Sequence, residues 1–219
     1  MENVVPPSLL FEFRHVVPQC ELPSKKKSGR LLTLASDTPL FVPATLNDQN
    51  SCAEFRLGWH ADGVGICVAV HGKTEVVNGS SADPDRSDSV KIWLDTRPSG
   101  NVHRATEYCH SFICLPADEQ QDGRPSADVL PIAQQRATRV ETNTNSFLLR
   151  THRTKSGYEL EVWIPGNQLS GYREIAETGR IGFHAVVHDT ELGEQPFSVG
   201  SDFPTSYDPS TWTQMDLAT

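Results

Sequence analysis

"AEFRLGWHADGVGICVAVH", residues 53–71, decides the fold. Ala53, Phe55, Leu57 and Trp59 alternate with Glu54 and Arg56, so a period of two sets an oily face against a charged one. After a short "ADG" turn, Val64, Ile66, Val68 and Val70 resume the alternation. Two such runs across a tight turn predict an antiparallel hairpin.

The same period recurs along the chain. "SVKIWLD" (89–95) sends Val90, Ile92 and Leu94 inward and Lys91, Trp93 and Asp95 to the other face. "YCHSFICL" (108–115) is a strand of open parity: Tyr108, His110 and Phe112 oppose Cys109, Ser111 and Ile113, a mixture that suits cover on both faces. "FLLRTHRT" (147–154) and "GYELEVWIP" (157–165) predict a second hairpin, with Tyr158, Leu160, Val162 and Ile164 inside and Glu159, Glu161 and Trp163 outside. Pro165 ends that strand because it has no N–H to donate. "GNQLSGY" (166–172) has room for one helical turn at most. "RIGFHAVVHD" (180–189) opposes Ile181, Phe183, Ala185 and Val187 to His184, Val186 and His188, and "STWTQMDL" (210–217) supplies a last strand carrying Trp212. Residues 116–146 are polar, contain Pro116, Pro125 and Pro131, and read as a long loop. The expected architecture is all-β: an antiparallel β-sandwich of jelly-roll type with about nine or ten strands and little helix. A single domain over residues 1–219 is expected, residues 1–29 forming an N-terminal strand and loop.

Composition narrows the function classes. The 15 Gly and 15 Pro among 219 residues favour turns over helix. A formal net charge of −9 opposes a phosphate backbone, and the short run Lys25, Lys26 and Lys27 reads as a solvated loop, so nucleic acid is not an expected partner. Five cysteines without a CxxC pair (Cys20, Cys52, Cys67, Cys109 and Cys114) predict reduced, mostly buried thiols. "MENVVPPSLLFEF" has no basic segment leading into an apolar core, and no stretch approaches ~18 continuous apolar residues. A membrane is therefore not an expected partner, and the expected location is cytoplasmic, or secreted if a leader has been removed.

Candidate site residues follow from alternation. Trp93 and Trp163, on the face opposite the aliphatic set, are read as a flat platform beside Lys91, Asp95 and Glu161, suited to the C–H face and hydroxyl rim of a sugar; the alternative is two rings covered by residues 116–146. The turn after the "SVKIWLD" strand gathers Asp95, Arg97, His103, Arg104 and His110. Its guanidinium forks suit a carboxylate or other small anion; alternatively Asp95 caps the turn and Arg97 or Arg104 pairs with acidic neighbours. His184 and His188 share a face roughly 13 Å apart along a strand, too far to chelate one ion together. Asp189, Glu191 and Glu194 are candidates for oxygen donors to a metal, without the spacing of a dedicated calcium loop. No GxSxG, HExxH or glycine-rich phosphate loop is present, so catalysis by this chain itself is not expected.

"FRLGWHADGVGICVAV", "DSVKIWLDTR", "GYELEVWIP", "IGFHAVVHDTELGE" and "DPSTWTQMDL", in that order, resemble the family 9 carbohydrate-binding modules, within the wider DOMON-like group of β-sandwiches, over about residues 30–217. "DTRPSGNVHRATEYCHSF" (95–112) is similar to planctomycete proteins of that fold. The resemblance implies a sugar ring clamped between two aromatic side chains, hydrogen bonds from charged and amide groups, a possible structural calcium, and association with a glycoside-degrading system. The leading expectation is a non-catalytic module binding a sugar or small acidic saccharide on an exposed sheet face. Two others stand beside it: a structural or partner-binding sandwich without a sugar site, and a haem-binding domain ligated through Met, for which only Met1 and Met215 are available.

Overall fold

The computed structural model describes residues 5–11, 13–26, 28–34, 39–47, 51–136 and 141–218; Met1 and Lys27 lie outside them. Eleven strands are present among the described residues: β1 (His15–Val17), β2 (Ala53–His60), β3 (Gly63–His71), β4 (Ser89–Asp95), β5 (Cys109–Asp118), β6 (Arg124–Val129), β7 (Leu148–Thr154), β8 (Gly157–Pro165), β9 (Arg180–Asp189), β10 (Gly193–Pro196) and β11 (Thr213–Leu217). The opening hairpin is β2 and β3, in register from Ala53 opposite Val70 to His60 opposite Gly63. Gly63 is required there, because a Cβ would lie 2.5 Å from the Ile164 carbonyl oxygen and 2.7 Å from the Trp163 ring.

β2, β3, β8 and β7 form a four-stranded sheet in that order. The second sheet runs β1, β11, β9, β4, β5, β6, with β10 also on β9. All pairings are antiparallel except β1 with β11. The inward sets expected from alternation meet in one core between the sheets, with Phe55, Ile66, Ile92, Leu160, Val162, Phe183 and Val187 among its members. Phe197 joins it edge-on to Phe55 and Phe183, at 5.4 and 5.2 Å between centroids.

Two features depart from the sequence reading. Residues 116–146 are not one loop: β5 continues to Asp118 and β6 follows. β6 is an edge strand with mostly half-exposed side chains, where a proline is tolerated and no hydrophobic alternation is required, which hides it from a periodicity test. The open parity of β5 resolves with Phe112 and Cys114 in the core and Cys109 in a separate outer cluster, so every residue of the strand is buried. Among the described residues helix is limited to short 3-10 turns and one α-turn, Ile175–Thr178, and no described helix is long and apolar enough to cross a membrane.

Candidate functional site

Trp163 leaves β8 on the outer face of the four-stranded sheet and is only 4% exposed, because Leu31 and Leu32 lie on it with Cys20 and Leu34 alongside. Glu161, two residues before it on the same face, is buried rather than solvated and fastens this N-terminal strap. Its carboxylate accepts the Leu31 and Leu32 backbone N–H groups at 2.9 and 3.0 Å and lies 2.7 Å from His152 Nε2. Arg150 donates to the Gly29 and Lys26 carbonyls, and Arg30 pairs with Glu159.

Trp93 leaves β4 on the outer face of the other sheet and is equally buried, among Ala105, Cys109, Ile132, Val186 and Trp212. Leu130 and Ile132, midway along the 116–146 stretch, help cover it. The two indoles therefore form no shared platform: they belong to different sheets and each is roofed by a remote segment. His184 lies 5.5 Å from the Trp93 ring and is fully buried, so loss of hydration pushes its pKa down to about 3 and keeps it neutral.

The turn after β4 is a structured corner. Asp95 accepts the Arg97 N–H at 2.9 Å, and burial holds its carboxyl above the usual range. Arg97 lies over the Tyr108 ring, 4.3 Å from its centroid, donates to the Tyr108 hydroxyl, and pairs with Glu174 at 3.4 Å. His103 is exposed beside Asp208 and Ser210, and Arg104 points to solvent. His110 turns away from this group and stacks on Phe112. His188 faces the Ser87 carbonyl at 2.9 Å. Arg97 and Pro98, with Thr178 and Arg180, rim an open hollow of about 560 Å³. Of the nine expected ligand residues, then, Arg97, His103 and Arg104 are exposed, while Trp93, Asp95, His110, Trp163 and His184 are buried and His188 is partly so.

The acidic candidates for calcium converge on a cation already present. Asp189 and Glu191, joined by Asp88, surround the Lys73 ammonium, which is fully buried with both aspartates. Nζ lies 2.9 Å from Asp189 and 3.2 Å from Asp88. Glu194 is exposed on β10. Calcium needs six to eight oxygens at about 2.3–2.6 Å, and the centre of this set is filled by nitrogen, so the residues do not fit the ion. Met215 is buried in the core of the sandwich.

Sequence reasoning passed over a groove at the edge where β1 meets β2. Its volume is about 360 Å³, and Arg14, His15, Val16, Pro39, Phe41 and Arg56 line it. Phe41 is 48% exposed and begins a row of rings, 5.3 Å from Phe13, which lies 6.4 Å from Phe11. Arg14 forms no ion pair with another described residue, and Arg56 pairs with Glu54 at 2.8 Å. The groove joins β1 and β2 with the irregular segment that carries Pro39 and Phe41, and no periodicity in the N-terminal region marked it.

Two solved structures share the fold. A family 9 carbohydrate-binding module from Caldicellulosiruptor kristjanssonii in complex with cellotriose superposes with a TM-score of 0.58 at 15% identity, covering 94% of this chain and 93% of that one. The complex of a family 9 module from the same organism with glucose gives 0.56 at 14% identity, covering 94% and 96%. No curated protein sequence matches the chain. Residues 32–219 match the family described as carbohydrate family 9 binding domain-like, and the chain belongs to that family.

Proposed function

We propose that this chain is a non-catalytic carbohydrate-binding module whose ligand, a sugar or short acidic saccharide, docks in the groove closed by Phe41. The observation that carries the reading is the half-exposed Phe41 ring in a groove that Arg14 and Arg56 also line. An aromatic face meets the C–H face of a pyranose, and arginine forks meet a carboxylate or hydroxyls at its rim. The volume lies at the small end of the ~300–1,000 Å³ range of ligand sites. The two related modules above were solved with glucose and cellotriose, which supports a neutral sugar as the first probe. Calorimetric titration with glucose, cello-oligosaccharides and uronic acids tests it: binding that is weakened in Phe41→Ala and kept in Arg97→Ala is expected. Absence of heat across the panel overturns the reading, and loss in Arg97→Ala alone moves the site to the hollow rimmed by Arg97 and Arg180.

A second reading has its own observation. Leu10, Phe11 and Val16 are also strongly exposed in the same N-terminal region, an apolar surface of the kind that meets a protein partner. Self-association in sedimentation, abolished by Phe11→Ser, favours that reading over the sugar.

A further inference from the structure

The Lys73 corner joins three separate pieces of chain. Lys73 follows β3, Asp88 precedes β4, Asp189 ends β9, and Glu191 lies in the turn between β9 and β10. Nζ has three donors, and four oxygens lie within reach: Asp189 Oδ1 at 2.9 Å, Asp88 Oδ2 and Oδ1 at 3.2 and 3.3 Å, and Thr190 Oγ1 at 3.5 Å. Glu191 completes the ring of charge at 4.0 Å.

Around these carboxylates runs a second set of bonds. Asp88 accepts from the Asn78 and Thr190 N–H groups, Asp189 from those of Glu191 and Leu192, and Glu191 from those of Thr74 and Glu75. Acid groups from distant segments, steered by backbone N–H groups, enclose one buried positive centre, and with the ammonium in place no group of three or more acidic, His or Cys side chains among the described residues is set to hold a metal ion. Three carboxylates against one ammonium leave a formal excess of negative charge, and Asp189 Oδ2 is buried with no hydrogen-bond partner among the described residues. Removing the ammonium alone would leave the two buried aspartates without a counter-charge, a strongly destabilising change.

We propose that the Lys73 ammonium is a built-in replacement for a bound divalent cation, so that this corner holds the loops between the two sheets without metal, and that removing it converts the corner into a divalent-cation site. The test compares the thermal midpoints of the full chain and of Lys73→Met in excess chelator and in millimolar calcium. The unsubstituted chain is expected to melt at the same temperature in both. Lys73→Met is expected to melt about 10 °C lower in chelator, to recover most of the loss with calcium, and to bind one calcium per chain by calorimetry. Adding Asp189→Asn to Lys73→Met is expected to abolish the calcium response. Calcium stabilisation of the unsubstituted chain overturns the proposal, as does a destabilised Lys73→Met that calcium neither binds nor rescues. Should Lys73→Met fail to fold in chelator, refolding from denaturant with and without calcium decides: recovery only with calcium supports the proposal, and no recovery in either overturns it.

Discussion

Trp93 and Trp163 stand on the outer faces of different sheets, the first roofed by Leu130, Ile132 and Trp212 and the second by Leu31 and Leu32. Rings placed this way stabilise the fold and present no face to a ligand. Replacing either by alanine is expected to reduce stability by about 3–5 kcal/mol, read from urea unfolding, while the folded fraction keeps its sugar affinity. A specific loss of affinity at unchanged stability would return the indoles to the binding site.

Glu161 is the buried anchor of the strap: its carboxylate holds two backbone N–H groups and faces His152, beside the Arg150 bonds to Gly29 and Lys26. Glu161→Gln retains the size and removes the charge. The expected cost is about 1–3 kcal/mol, with faster tryptic cleavage at the exposed Lys25 and Lys26. Unchanged cleavage kinetics would mean that packing on Trp163 holds the strap without the carboxylate.

His184 predicts a direction for acid stability. Its pKa is about 3 folded against 6.5 for the free side chain, so the unfolded chain takes up the proton first. The stability is therefore whole above pH 6.5 and declines as pH falls from 6.5 towards 3, by on the order of 5 kcal/mol across that window. Asp95, held above its ordinary value by burial, acts in the opposite sense, so the comparison is with His184→Phe rather than with the unsubstituted chain alone. Urea midpoints measured from pH 7 to pH 4 are expected to fall less steeply in the variant.

Phe41→Ala is expected to weaken saccharide binding roughly tenfold, about 1.4 kcal/mol. Because the ring is half exposed, the circular dichroism spectrum and unfolding midpoint are expected to change little. A large stability loss would instead make Phe41 a packing residue of the N-terminal segment.

The five thiols are expected to resist modification until the chain unfolds. Burial pushes Cys20 and Cys67 up to about 11 and Cys109 and Cys114 up to about 12, and it raises Cys52 as well. A disulfide-exchange reagent at pH 8 should react slowly with the native protein and with all five cysteines in denaturant. Rapid native labelling of Cys20 would show that the strap opens.

Alternation alone determined which side chains of Ala53–Val70, Val90–Leu94, Tyr158–Ile164 and Ile181–Val187 enter the core, because a strand's period of two is a local property of the pleated backbone. It also marked Trp93 and Trp163 correctly as facing away from that core. What covers an outward face is not local: Leu31 reaches Glu161 across 130 residues, and Lys73 reaches Asp189 across 116. Only the tertiary structure decided that the indoles are roofed, that Glu161 is buried, that an ammonium fills the acidic corner, and that Phe41 remains open. Each of these depends on how chain segments without their own periodicity return over the finished sheets, and that is settled by packing and charge compensation among distant residues.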